Sequence, residues 1–279
     1  MPAYGPSQPA KNHPPPNPSG VHFLAAAHVA DRLVRSAEVT ERDLVVDFGA
    51  GHGAITAPLA RTGAGVIAVE RDPEFVRRLG IRMSDSGNVK VIPGDVRTFP
   101  LPRKAFLVVS SIPYAVSTAL FRRLLTPPRT ALSRAAIIVE WGFAKRVTAA
   151  VPRDLEAAWW AARFELDLVD RIPPRCFSPA PKVASAHLTI RRGEPLSGLA
   201  QRALWTVLSA AYRAPRLPAR QAMSAVLAGR RAHGVLKAAG IDPAAPAGTV
   251  RPDRWAHLAR RLAEDRGLHW PPLPKHLNR

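Results

Sequence analysis

Short apolar runs alternate with amphipathic stretches through the first two thirds of the chain. Phe23–Ala37 is amphipathic at helical period and predicts a helix. Asp43–Phe48, built around Leu44-Val45-Val46, predicts a buried strand; the Gly-rich turn Gly49–Gly53 and a helical Ala54–Arg61 follow. Val66–Glu70 predicts a second strand. Pro73–Met83 predicts a helix, opened by proline after Asp72. Val89–Ile92 and Phe106–Ser110 are the third and fourth strands, Ser117–Leu125 the next helix, and Ala135–Glu140 the fifth strand. Strands alternating with helices imply a parallel sheet with right-handed crossovers. The pattern then changes. Phe164–Arg171 and Val183–Arg191 predict two strands separated by the Pro-rich Ile172–Pro181, which fits an antiparallel hairpin closing the sheet edge. The expected fold class is α/β, a mostly parallel sheet with an antiparallel edge.

Beyond Gly193 the period is helical, over Leu199–Tyr212, Ala219–Ala228, Ala232–Ala239 and Arg254–Asp265, with breaks at Pro and Gly. A domain boundary is expected near Gly193–Pro195. Residues 19–193 would carry the sheet, 194–270 a smaller all-helical domain, and 271–279 a tail to which no role is assigned. Met1–Gly20 holds seven prolines and lacks the apolar stretch of a secretory signal, so 1–18 reads as an extended or disordered arm.

Composition narrows the classes. With 279 residues, 47% hydrophobic and 22% charged, global disorder is excluded. Forty Lys and Arg against 21 Asp and Glu give a net charge of +19. A protein that basic meets a polyanion, nucleic acid or an anionic membrane surface. Residues 195–279 alone hold 14 Lys or Arg against 4 Asp or Glu, a net +10. Cys176 stands alone, so no intrachain disulfide and no Cys-based metal site are expected, and a reducing cytoplasm fits. No run of 18 apolar residues predicts a membrane span. His13, His52 and the C-terminal histidines are irregularly spaced and read as solvated surface, with no metal expected. The Trp159-Trp160 pair reads as core.

Candidate chemistry sits at strand ends. Asp47-Phe48-Gly49-Ala50-Gly51-His52-Gly53 follows the first strand with G-x-G-x-G spacing, not the G-x-G-x-x-G of dinucleotide binders. Such a turn brings backbone close to a ligand at a helix N-terminus. Glu70 ends the second strand, where a carboxylate can accept both ribose hydroxyls. Asp95, in Gly94-Asp95-Val96, follows the third and can accept from an adenine amino group. Singly these read equally as a tight turn, a solvated strand-end charge and a turn aspartate. Together, at successive strand ends along one rim, they describe an adenosine pocket without a phosphate cradle, as S-adenosylmethionine requires. Ser110-Ser111-Ile112-Pro113-Tyr114 closes the fourth strand. The adenine N6 lone pair is delocalised into the ring and needs orienting by acceptors for its two hydrogens. Proline fixes the direction of the preceding carbonyl, and Tyr114 offers a flat surface for a base taken out of its stack.

Ser111-Ile112-Pro113-Tyr114 resembles the Asn-Ile/Leu-Pro-Tyr motif of the ribosomal RNA adenine N6-methyltransferases. Val139-Glu140-Trp141-Gly142-Phe143-Ala144-Lys145-Arg146 resembles the Val-Glu-x-Gly-Phe-x-Lys-Arg stretch of the Erm proteins, which methylate 23S ribosomal RNA. Cys176–Val183 resembles their Phe-x-Pro-x-Pro-x-Val loop, and Ser19–Leu24 their opening Gln-Asn/His-Phe-Leu. The likeness covers Ser19–Arg191 in order, with a basic helical C-terminal domain after it. It implies a Rossmann-like, class I S-adenosylmethionine-dependent methyltransferase. By that resemblance His22 and Leu24 border the cofactor, and Gly49 and Gly51 approach its methionine part. Glu70 takes the ribose; Asp95 and Val96 take the adenine. Ser111, beside the cofactor, and the Ile112 carbonyl take the target amino group, with Pro113 fixing the turn. Tyr114 and Phe177 sandwich the target base. Two positions depart from the pattern: Val21 stands for the usual Gln, and Ser111 for the usual Asn. A hydroxyl accepts one hydrogen bond but is shorter and offers no amide, which bears on efficiency and on one against two methylations. No catalytic base is assigned, because the N6 proton is lost after transfer.

Arg122, Arg123, Arg134, Lys145, Arg146 and the basic C-terminal domain are expected to supply phosphate contacts, which position without specifying. The expected activity is methyl transfer to one adenine N6 of 23S ribosomal RNA in the peptidyl-transferase region, by a cytoplasmic monomer, with macrolide–lincosamide–streptogramin resistance as the outcome. The alternatives are a small-subunit RNA dimethyltransferase and a non-catalytic RNA-binding protein on the same fold.

Overall fold

The computed structural model describes residues 21–224, 226–227 and 229–278. The Pro-rich arm over 1–18 lies outside the described residues, as do Ser19, Gly20 and Ala228. The first half runs β1 (Phe23–Leu24), α1 (Ala27–Ser36), β2 (Leu44–Phe48), α2 (Thr56–Ala60), β3 (Gly65–Glu70), α3 (Pro73–Arg82), β4 (Val89–Pro93), β5 (Phe106–Ser111), α4 (Ser117–Leu125) and β6 (Leu132–Glu140). There follow α5 (Trp141–Val147), α6 (Leu155–Ala161), β7 (Phe164–Ile172), β8 (Phe177–Ser178) and β9 (Ser185–Arg192). The C-terminal part is helical: α7 (Gly198–Arg213), α8 (Ala219–Ala222), α9 (Gly229–Ala238) and α10 (Pro252–Ala263).

The main sheet has the order β4-β3-β2-β5-β6-β9-β7. Strands β4 to β6 are parallel; β9 pairs antiparallel with both β6 and β7. The expected antiparallel edge is therefore present, with β7 outermost. Strands β2 and β5 are mainly apolar because both faces are covered, with Asp47, Ser110 and Ser111 polar toward their C-terminal ends. On one face Val45, Leu107 and Val109 pack with Val29 and Leu33 of α1. On the other, Val46 and Val108 pack with Leu120, Phe121 and Leu124 of α4.

Local signals place the helix ends. Asp72 caps α3 by accepting from the Glu74 and Phe75 N–H groups, with Pro73 in the first turn. Ser197 caps α7 at the Ala200 N–H. Two expected helices are corrected. Phe23 and Leu24 are not the start of α1. They form an antiparallel ribbon with Ser178 and Phe177, and the Ala25 and Ala26 N–H groups both donate to the Cys176 carbonyl. Of the described residues in Ala219–Ala228, only α8 is helical; Ser224 and Val226 donate three residues back, to Gln221 and Met223, in turns. Conversely, α5 and α6 were not predicted. Glu140 caps α5 at the Gly142 and Phe143 N–H groups, and Asp154 caps α6 at Ala157.

The C-terminal helices share one hydrophobic core with the sheet. It runs from Val46 and Val108 through Trp159 and Trp160 to Val207, Leu208 and Trp255. Trp159 and Trp160 are buried, as expected for core, and their indole N–H groups donate to the Thr126 carbonyl and hydroxyl. Trp270 and Leu277 pack into the same core. Buried Arg163 closes the C-terminal end of α4 by donating to the carbonyls of Leu125, Thr126, Pro127 and Pro128. Its guanidinium lies 4.5 Å from the Trp159 ring centroid.

Candidate functional site

Chain direction across the sheet reverses at the β2/β5 pair, since β3 and β4 lie on one side and β6 on the other. A crevice outside the C-terminal ends of such strands is where open α/β sheets bind ligands. The turn after β2 and the turn after β5 both enter it. They touch: a Cβ on Gly49 would lie 3.5 Å from the Pro113 ring.

Gly49 (φ +69°) and Gly51 (φ +50°) hold left-handed backbone that side chains disfavour. A Cβ on Gly51 would also stand 3.0 Å from the Phe23 ring. Glu70 locks this turn from the end of β3. One carboxylate oxygen accepts the Gly51 N–H at 2.8 Å; the other accepts the Arg71 and Asp72 N–H groups at 2.7 and 2.9 Å. Phe23, His52 and Phe75 form a ring cluster over the turn, with centroids 4.6 to 5.1 Å apart. Asp47, at the end of β2, is fully buried and accepts from the Thr56 hydroxyl at 2.7 Å. Burial pushes its carboxyl up to about 7, and the charge of Glu70 adds to the rise, while the Thr56 bond opposes it. Sequence reasoning left Asp47 without a role, although it stands one residue before the end of β2, near the rim that Glu70 reaches from the end of β3.

Asp95 lies just beyond β4, as expected. Its carboxylate is paired with Arg97 at 2.6 Å, and the Arg97 hydrogen bonds hold its acidity near 2. Val96 beside it is buried. At β5, buried Ser110 accepts the Phe48 N–H at 2.8 Å and ties β5 to β2. Ser111 is half-buried at the rim, followed by buried Ile112, whose N–H donates to the Ile138 carbonyl. Tyr114 is half-buried, its hydroxyl 2.7 Å from that of Ser185; burial pushes its pKa up, so the phenol holds its proton more tightly.

Phe177, expected opposite Tyr114, is 5% exposed and lies in the core cluster with Leu24, Leu33 and Ile172. Its main chain pairs with Leu24. The ring beside Tyr114 is His22, with centroids 6.0 Å apart. Leu24 is buried on the strap that carries His22.

Three of the five cations expected on RNA bond to groups of the chain itself. Arg123 is half-buried and donates to the Val96 and Phe99 carbonyls, below the Asp95 turn. Arg122 forks onto Glu156, and Arg134 lies 3.6 Å from Glu38 and 3.4 Å from Asp43, so carboxylates offset both charges. Lys145 and Arg146 are exposed on α5. A groove of about 470 Å³ between α9 and α10 is lined by Lys237, Arg254, His257 and Arg260, with Asp253. Among the described residues no group of His, Cys, Asp and Glu could hold a metal ion, and no helix is long and apolar enough to cross a membrane.

Residues 17–264 match the family model described as ribosomal RNA adenine dimethylase. The chain belongs to that family. An rRNA adenine N-6-methyltransferase of Bacillus licheniformis is 31% identical over 259 residues, spanning 92% of this chain and 90% of its own. The ribosomal RNA small subunit methyltransferase A of a Synechococcus strain is 30% identical over 271 residues, spanning 90% and 95%. The crystal structure of the 23S rRNA methyltransferase ErmE superposes with a TM-score of 0.75 at 27% identity, covering 86% of this chain and 99% of that one. The dimethylase-family chain described here is thus an S-adenosylmethionine-dependent rRNA adenine methyltransferase with a Rossmann-like sheet. Its crevice fits that cofactor in its donor set: Gly49 and Gly51 give a side-chain-free turn after β2, and carboxylates stand at the end of β3 and just past β4.

Proposed function

We propose that this enzyme methylates N6 of one adenine in the peptidyl-transferase region of 23S ribosomal RNA and thereby confers macrolide–lincosamide–streptogramin B resistance. The observation that supports the chemistry is the close approach of the Gly49 turn to Pro113. A donor site at the first turn and an acceptor site at the second would lie side by side at the β2/β5 switch point. The likeness to ErmE along nearly its whole length supports the large-subunit target.

When bound, S-adenosylmethionine supplies a methyl group on a positively charged sulfur. Gly49 and Gly51 would admit its methionine part, Glu70 its ribose, and Asp95 with Val96 its adenine, with His22, Leu24 and Ser111 at the border. The Ser111 hydroxyl and the Ile112 carbonyl would accept the two N6 hydrogens and so aim the nitrogen lone pair. Tyr114, anchored on Ser185, would hold the extruded base flat. Lys145, Arg146 and the α9/α10 groove would take phosphates, which makes 194–270 an RNA-binding domain next to the catalytic 19–193. A single cysteine, Cys176, and a buried one, suits a cytoplasmic enzyme acting as a monomer on protein-free RNA.

The test is methyl transfer from labelled cofactor to deproteinised 23S and 16S RNA, followed by primer extension. Label at one adenine of the large-subunit RNA is expected. Label confined to 16S RNA would assign the small-subunit reaction instead. Tight RNA binding without label would assign a non-catalytic role.

A further inference from the structure

We infer that Arg97 is a positioning residue for cofactor recognition: it forks onto the Asp95 carboxylate and fixes it as an acceptor that separates a 6-amino from a 6-oxo purine. This rests on reading Asp95 as the contact for the adenine of S-adenosylmethionine.

The main chain of the turn after β4 is tied down on every side. The Gly94 N–H donates to the Glu70 carbonyl at 2.8 Å, which attaches the turn to the end of β3. Gly94 packs so closely that a Cβ there would stand 2.8 Å from the Phe99 ring and 3.2 Å from a Val69 methyl. The Asp95 carbonyl accepts the Thr98 and Phe99 N–H groups at 3.0 and 2.8 Å. From α4, Arg123 donates to the Val96 and Phe99 carbonyls. None of these bonds fixes the Asp95 side chain, which is 25% exposed and free to rotate about its own torsions. Arg97 removes that freedom. Its main-chain N–H donates to Oδ1 at 2.7 Å, and its Nη2 to Oδ2 at 2.6 Å. Its Nε lies 3.0 Å from Oδ1 and 3.2 Å from Oδ2, sharing one hydrogen between them. A fork of this kind sets the plane of the carboxylate.

The acceptor capacity left over decides the chemistry. Among the described residues, Arg97 alone supplies hydrogens to this carboxylate: its main-chain N–H, Nε and Nη2. An ionised carboxylate has about four lone-pair sites. One site therefore remains, on Oδ2. An adenine 6-amino group supplies the hydrogen it needs, whereas a 6-oxo purine sets an acceptor against it. A protonated carboxyl could donate to the 6-oxo group instead. The Arg97 hydrogen bonds exclude that by pulling the Asp95 pKa down to about 2, with the Arg71 charge adding to the effect. Arg97 is itself 55% exposed, so the pair contributes little to stability and its value lies in orientation.

The test is calorimetry on the full chain with S-adenosylhomocysteine and its 6-oxo analogue, S-inosylhomocysteine. It compares the wild type with Arg97→Ala, Arg97→Lys, Asp95→Asn and the Arg97→Ala, Asp95→Asn double variant. The wild type prefers the 6-amino ligand by about tenfold or more. Arg97→Ala binds that ligand about three- to tenfold more weakly and the 6-oxo ligand no more weakly than the wild type, so the preference narrows. Arg97→Lys keeps the charge without the fork and stays nearer to Arg97→Ala than to the wild type. Asp95→Asn, whose amide accommodates either ligand, loses the preference, and adding Arg97→Ala to it changes either affinity by less than about twofold. A merely structural role would weaken both ligands alike. Three results overturn the inference: undiminished affinity for S-adenosylhomocysteine in Arg97→Ala, equal losses for the two ligands, or the same Arg97→Ala loss in the Asp95→Asn background. If Asp95→Asn itself keeps the wild-type preference, Asp95 does not read the adenine and the underlying assignment falls with the inference. That outcome is distinct, because it is read before Arg97 is altered.

Discussion

Two buried titratable side chains pull the pH dependence of stability in opposite directions, and removing either exposes the other. Asp47 is held near 7 instead of 3.8, mainly by burial. Between those values the folded state keeps a proton that the unfolded state has released, so stability falls as pH rises across this window. His187, buried in β9 with its Nε2 2.8 Å from the Ser36 hydroxyl, is held near 4 instead of 6.5, again mainly by burial. The folded state there lacks a proton that the unfolded state binds. Its contribution is complete above 6.5 and is lost as pH falls through 4. The shifts correspond to about 4 kcal/mol for Asp47 and about 3 kcal/mol for His187. They nearly cancel from pH 4 to 6.5. Urea unfolding at pH 4 to 8 should therefore give a shallow profile for the wild type. Asp47→Asn, which retains an acceptor for Thr56, should gain stability from pH 4 to 6.5 by up to about 3 kcal/mol more than the wild type. His187→Gln should lose up to about 4 kcal/mol between pH 4 and 7. Exposed pairs such as Asp95–Arg97 are common to all three proteins and drop out of the comparison. Parallel profiles for wild type and both variants would falsify the opposed linkage.

Gly51→Ala places a methyl against Phe23 in left-handed backbone, so its affinity for S-adenosylhomocysteine should fall by more than about tenfold, with stability down by about 1 kcal/mol; calorimetry and urea titration read the two effects. Arg163→Met leaves up to four carbonyls without their donor and should lower unfolding stability by about 3 kcal/mol or more. Lys145→Ala with Arg146→Ala should flatten the salt dependence of RNA binding by about two in log–log slope, whereas Arg123→Ala should reduce thermal stability and leave that slope unchanged.

The repeating part of the fold is legible because each strand and helix carries its own period. Ser117–Leu125 comes out residue for residue, its apolar face on one side and Arg122 and Arg123 at its last turn. Glu70 and Asp95 were found because strand order alone brings strand ends to one rim. What escaped depends on partners distant in the chain or on elements too short to nucleate alone. Helices α5 and α6 have seven residues each and exist through their caps and their packing. Phe23-Leu24 reads as helix because two residues show no period, and its pairing with Phe177-Ser178 is invisible locally. For the arginines, charge was legible but occupancy was not: Glu156 and the Val96 and Phe99 carbonyls sit far from Arg122 and Arg123 in sequence.

The bond between His22 and Pro179 joins groups 157 residues apart. On a ribosome that adds residues in order, the strap must wait until that much chain has emerged before its partner strand exists. The parallel part of the sheet can condense earlier, since β2 pairs with β3 and β5, and β3 with β4, within a shorter stretch. A nascent chain thus gains the shared rim of its parallel strands first and the strap across that rim later.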